Sequence, residues 1–257
     1  MSVSEISIPP GLALILDRAG NRSGVDFDYL LTTAMRESRL DPTARAESSS
    51  ATGLFQFLEQ TWFEVMKSDG ARLGYARYAE AITRKADGTL DISDNTLRAE
   101  VLKLREDPEI AANLAAAFTR NNGAYLEKAF GRMPSPGELY IAHFLGARGA
   151  EKLFRAGLSD PDQIAANLFP GQAEVNRAIF YENGTPRTIR ELYRVLVAKH
   201  GDGAGSAVSG GASAGASASP LTMSFTELYS STGRAPASPL ASEPVVHAGF
   251  FAQLYSN

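Results

Sequence analysis

A helical stripe that runs into a charge constrains this chain more than any other feature. Phe27, Leu30, Leu31, Ala34 and Met35 recur at i, i+3, i+4, i+7 and i+8, the pattern of a helix with one face on a core. Asp26 and Asp28 suit its N-terminal end, where the helix dipole favours negative charge. Pro42 stops the helix soon after Leu40. Glu37 lies seven residues after Leu30 and three after Ala34, so it belongs to the apolar face. Burial disfavours an ionised carboxylate, and a carboxyl that keeps its proton can donate it. The same spacing also fits a glutamate paired with Arg36, Arg39 or Arg45 near a helix end, and spacing alone leaves both readings open.

Further helical patterns predict elements at 59–70, 71–86, 95–105, 108–129, 136–145, 148–157 and 187–200. A short hairpin fits around 88–94, and no segment alternates convincingly with period two. The fold class expected is therefore all-α. The chain has 257 residues and 44% hydrophobic content, enough for a sizeable core. That core belongs to residues 1–200. Residues 201–220 contain 6 Gly, 6 Ala, 5 Ser and 1 Pro, so 18 of 20 are small or chain-breaking, the composition of a flexible linker. The remainder of the 201–257 tail is mostly polar. It carries Phe225-Thr-Glu-Leu228-Tyr229-Ser230 and an echo 26 residues later, Phe251-Ala-Gln-Leu254-Tyr255-Ser256. In a helix, the Phe, Leu and Tyr of each copy share one small apolar face that suits a groove on a partner protein.

Composition removes several function classes. A net charge of −4 offers no basic field for nucleic acid. Without cysteine there are no disulfides, thiolate metal sites or cysteine nucleophiles. His200 and His247 are isolated and no HExxH-like spacing occurs, so neither a metal nor another cofactor is expected. The Gly-rich 201–215 segment has no following Lys-Ser/Thr and is no phosphate loop. No run of 18 apolar residues exists, so no membrane span is expected. The first twenty residues lack an early Lys or Arg, and Pro9 and Pro10 interrupt their apolar stretch, so they do not read as a signal peptide.

After Glu37 comes Ser48-Ser-Ser-Ala-Thr-Gly53, which reads as too small and polar to pack as core and able to let a polymer approach its backbone. Gln56 follows, with donor and acceptor groups suited to sugar hydroxyls and amides. Glu37-Ser38, Asp41-Pro42, Ala44 and Gly53-Leu54-Phe55-Gln56 together resemble the signature of the soluble lytic transglycosylase family. The segment 111–126 resembles the family helix ending in G-x-x-Y-L, and 139–146 (LYIAHFLG) occupies the place of a later family motif. The resemblance covers about residues 25–160 and is nearest a flagellum- or secretion-associated, alphaproteobacterial-type branch. It implies a lysozyme-like, goose-type helical domain. It also implies cleavage of the MurNAc–GlcNAc bond of peptidoglycan strands with formation of 1,6-anhydroMurNAc. Glu37 would be the single acid and base. Work on peptidoglycan implies a periplasmic or otherwise exported protein. The branch implies a flagellar rod or secretion-channel partner for the 221–257 tail. Two other outcomes stay open: a hydrolytic muramidase of the same fold, and a peptidoglycan-binding assembly scaffold that does not cut.

The chain departs from the family pattern in named places. The interval from Glu37 to Gly53 is one residue longer than usual, so the family's substrate-binding serine falls on Ser48 or Ser49. Leu58 stands for the usual Met and keeps an apolar wall for substrate. His143-Phe144 replaces a Tyr-Asn pair whose tyrosine normally bonds the catalytic carboxylate. His143 can take that role beside Glu37, or sit as a satisfied core histidine. Asn122, with Asn121, can contact sugar or bond the loop after Glu37. Trp62 can stack on a sugar ring or pack in the core. A hydrolase of the two-carboxylate kind would need a partner for Glu37, and Asp41, Glu47 and Glu59 are the local candidates.

Overall fold

A computed structural model of the chain describes residues 8–46 and 49–201. These residues are mainly helical, as the periodicity requires, with two short hairpins. They form two compact units, one ending at Asn121 and the other beginning at Asn122. The echo and linker of the tail, and the partner expected for them, lie outside the described residues, as does Ser48.

In the first unit, α1 (Pro10–Ser23) opens with proline at its first helical position and closes on Gly24, whose φ of 76° only glycine adopts cheaply. Leu12, Leu16 and Ala19 form its buried stripe, and it packs on α2 (Phe27–Ser38). Asp26 caps α2 by accepting from the Tyr29 N–H at 3.1 Å. The helix ends earlier than Pro42 alone predicts. Arg39 and Leu40 both turn left-handed, at φ 55° and 68°, and their N–H groups bond back to Met35 and Ala34. Its buried face is also rotated from the expected stripe. Tyr29, Leu30, Thr33 and Ala34 are buried, whereas Leu31 and Met35 are half-buried.

The third helix, α3 (Glu59–Asp69), places Trp62, Phe63 and Met66 at zero exposure. The helix expected over 71–86 is reduced to α4 (Ala76–Ala81), because the chain turns at 70–75 with Gly74 at φ 95°. The hairpin pairs β1 (Thr83–Arg84) with β2 (Leu90–Asp91), so it begins earlier than the expected 88–94. Next come α5 (Asn95–Lys103), a 3-10 turn at Leu104–Glu106, and α6 (Pro108–Phe130), which runs from the first unit into the second.

Asp69 joins the end of α3 to α6. It is 5% exposed, and its carboxylate accepts from Arg72 and Ser68 at 2.8 Å and from Arg120 and Asn121 at 2.7 Å. Burial pushes this carboxyl up, but the four partners together hold it below its ordinary value.

The second unit is built on α7 (Pro136–Ser159) and α11 (Ile189–Gly201), the last helix among the described residues. Sequence reading divides 136–157 after 145, and the backbone does break there, with Gly146 at φ 73° and ψ 160°. Glu138 has no exposed surface. It takes two bonds from Arg132, at 2.7 and 2.9 Å, and one from the Ser135 N–H in a capping box. Gly137 lets α11 approach, since a Cβ there would lie 2.8 Å from Val197. Between these helices lie α8 (Ala165–Leu168), α9 (Pro170–Val175), α10 (Arg177–Phe180) and a hairpin of β3 (Tyr181–Glu182) with β4 (Thr185–Pro186). Phe169 and Phe180 pack within this region at 6.4 Å between ring centroids.

Asp69→Asn should destabilise the first unit by roughly 1–3 kcal/mol, because it strands two guanidinium partners that are one-third to one-half exposed. A native carboxyl held below its unfolded value contributes its stability in full above that value, near pH 4, and loses it as pH falls through the native value. Urea unfolding from pH 7 to pH 3 should therefore show the wild-type advantage over the variant shrinking only below about pH 4.

Candidate functional site

Glu37 sits in the last turn of α2, half-buried, with its Oε1 withdrawn from solvent. The next residue ties this turn to the following loop, since Ser38 Oγ donates to the Leu54 carbonyl at 2.8 Å. Two left-handed residues, Arg39 and Leu40, then redirect the chain. Left-handed backbone costs a non-glycine residue roughly 1–2 kcal/mol, and such conformations gather at functional turns.

The loop itself is a tight coil. Thr52 and Phe57 exchange N–H···O bonds at 3.1 and 3.2 Å, Gly53 N–H reaches the Ala44 carbonyl at 2.8 Å, and Ala46 N–H reaches Ala51 at 3.1 Å. Gln56 is 3% exposed and stands at φ 48°. Its amide Nε2 donates to the carbonyls of Ala44 at 3.1 Å and Gly53 at 2.9 Å. The structure thus makes Gln56 an internal brace of the loop, where its amide–sugar pairing was expected. Leu58 is also interior, 6% exposed and packed with Ala51, Ala46 and Phe118.

The expectation that this segment is too small and polar to pack needs correction at 51–53. Ala51, Thr52 and Gly53 are buried, as are all residues from 54 to 58. The glycine does permit close approach, but of the chain's own backbone. A Cβ at Gly53, which has φ 85°, would lie 1.9 Å from the Arg105 carbonyl oxygen. From beneath, the Arg105 guanidinium donates through Nη1 to the Ser50 carbonyl at 2.6 Å and the Phe57 carbonyl at 3.1 Å. Beside it, Glu106 pairs with Arg45. Among the described residues of 47–53, Ser49 is half-buried and Ser50 exposed.

Tyr29, Thr33 and Thr119 form a polar group that the spacing of apolar residues does not announce. All three are buried, and the Thr33 hydroxyl donates to the Tyr29 carbonyl at 2.8 Å. Burial pushes the Tyr29 hydroxyl above the usual tyrosine range. Thr119 and Thr33 pull against this, and the negative charge of Glu37 adds to it, so Glu37 lies within electrostatic reach of Tyr29. The available signal was the spacing 29, 33, 37, one residue per helical turn on one face.

The other expected residues are distributed as follows. Asp41 is exposed and accepts from the Thr43 N–H and hydroxyl, both at 2.8 Å. Glu59 pairs with Arg98. Asn121 bonds Asp69, not the loop after Glu37. Trp62 is a core residue, at zero exposure with its Nε1 donating to the Val101 carbonyl at 2.9 Å, and it packs edge-on to Phe57. In the second unit, Asn122 is buried on α6, and His143 is 6% exposed on α7, stacked on Tyr140 at 6.0 Å. Among the described residues no group of three or more His, Asp or Glu is placed to hold a metal, and no helix is long and apolar enough to cross a membrane. No protein-family model matches the chain.

Gly53→Ala should cost roughly 2–5 kcal/mol, combining the left-handed penalty with overpacking against fixed backbone. A lowered urea midpoint with an unchanged slope would report it. A loss below about 0.5 kcal/mol, the scale of ordinary surface substitutions, would mean the Gly53–Arg105 approach relaxes freely.

Proposed function

We propose that this chain is a peptidoglycan lytic transglycosylase that uses Glu37 as its only acid and base. The observation that carries the reading is the placement of Glu37: in the last turn of α2, one carboxyl oxygen withdrawn from water, beside a buried tyrosine–threonine group. The resemblance of Glu37-Ser38 and Gly53-Leu54-Phe55-Gln56 to the family signature supplies the substrate.

In this reading, protonated Glu37 gives its proton to the glycosidic oxygen as the C1–O bond breaks. The substrate's own N-acetyl group supports the developing positive charge. The carboxylate then takes the proton of the C6 hydroxyl, and O6 bonds to C1. The proton donated first is thereby recovered, and no water is consumed. One carboxylate is enough for this sequence. Asp41 and Glu59, the described local alternatives, are engaged with Thr43 and Arg98, which favours the one-carboxylate route over the two-carboxylate hydrolase. Because the substrate is cell-wall glycan, the site of action is the periplasm or another space reached by export. Local wall opening during assembly of a flagellum or secretion apparatus is the role that the resemblance favours.

Mass spectrometry of muropeptides released from purified sacculi tests this. The wild type should release 1,6-anhydro ends. Glu37→Gln should lower release by at least roughly 10²–10⁴-fold, the usual worth of a general acid, while the fold and sacculus binding persist. Reducing ends would replace the proposal with a hydrolytic muramidase. Sacculus binding without release by the wild type would leave the scaffold reading. Activity of Glu37→Gln within a few-fold of wild type would remove Glu37 from the mechanism.

A further inference from the structure

We infer that Arg105 is the positioning residue for the outward Ser49–Ser50 turn, holding it in the shape that receives the glycan strand; this rests on the functional reading above. Arg105 is 8% exposed, so it is placed to act through the loop and not on substrate. Its side chain and backbone meet the loop at separate points and tie back to α5. Nη1 reaches the Ser50 and Phe57 carbonyls at 2.6 and 3.1 Å, Nε reaches the Leu102 carbonyl at 3.0 Å, and its own carbonyl lies against Gly53.

A buried cation is not needed to stabilise such a fold, since an apolar side chain of like volume often does as well or better. Retaining one here secures geometry. The rest of the loop has its own bonds. The Phe57 carbonyl also accepts from the Thr52 N–H at 3.2 Å, and Ala46 remains bonded to Ala51. The Ser50 carbonyl has a second donor too, the Thr52 hydroxyl at 3.2 Å, but the 2.6 Å charge-assisted bond from Arg105 is the shorter and stronger of the two. Ser50 further anchors the turn through its Oγ, which accepts from the Glu59 N–H at 3.4 Å, while Ser49 Oγ accepts from the Ala51 N–H at 3.3 Å. Losing the guanidinium should therefore release the turn before it unfolds the unit. Burial lowers the pKa of Arg105, with Glu59 and Glu106 opposing that effect and Arg45 and Arg98 adding to it, but the group stays charged at neutral pH.

The test compares full-length wild type, Arg105→Met and Arg105→Lys, with sacculi as substrate and amide exchange as a second readout. Arg105→Met should raise the apparent KM about tenfold, the worth of one charge-assisted bond, with kcat within about twofold. Arg105→Lys, whose ammonium can still reach one carbonyl, should recover most of that loss. Exchange at the Ala51 and Glu59 amides should speed up about tenfold in Arg105→Met, while interior α6 amides stay unchanged. An unchanged KM in the folded variants would overturn the inference. So would unchanged exchange at Ala51 and Glu59, or acceleration spread equally over α6. Wild type that neither cleaves nor sediments with sacculi would overturn the functional reading and the glycan part of this inference. The exchange data would still decide whether Arg105 holds the turn.

Discussion

The first unit turns on a close approach of two backbones. Gly53 and the Arg105 carbonyl come so near that no side chain fits between them, and the guanidinium of the same arginine bonds the loop on either side. Carbonyl oxygens of Ser50, Phe57 and Leu102 satisfy the buried cation, and these bonds hold the described part of the loop after Glu37. That part of the loop sends Leu54, Phe55 and Phe57 inward, at 0–1% exposure, and leaves Ser49 half-buried and Ser50 exposed. The end of α2 inherits this order through the bond from Ser38 to Leu54.

Two buried carboxylates among the described residues act as fasteners. Asp69 and Glu138 are surrounded by cations and hydrogen-bond donors, and each fastens one segment to another: the end of α3 to α6, and the start of α7 to the turn before it. Saturated in this way, they are anchors. Glu37 stands elsewhere, at a helix end that leads into strained backbone, within electrostatic reach of a tyrosine whose hydroxyl burial pushes above its usual range. The proposed function rests on that placement.

Much of the fold was legible because helices declare themselves locally. The spans at 59–70, 95–105, 108–129 and 187–200 appear with ends moved by a residue or two, and the break expected after 145 falls at Gly146. Three features went unread although their signals are local. Leu12, Leu16 and Ala19 mark α1 after Pro10. Asn183-Gly184, with φ values of 49° and 82°, turns the second hairpin as that dipeptide favours. The 29, 33, 37 spacing on α2 carries the buried polar group. The shortened α4 has a local signal as well, since Gly70 and Gly74 flank the turn that delays it and Gly74 stands at φ 95°.

The sequence by itself determined the helical class, the place of Glu37 in the last turn of α2 and the small-residue segment that follows it, since each follows from spacing within a dozen residues. Only tertiary structure decided what those residues are for. Gly53 looked like room for a polymer and is room for Arg105, 52 positions further along the chain. Gln56 looked like a sugar ligand and is a brace, because the carbonyls of Ala44 and Gly53 lie within reach of its amide once the loop has closed. Side-chain chemistry is written in the sequence. Which partner takes each donor is settled by distances across the fold, and no local pattern encodes them.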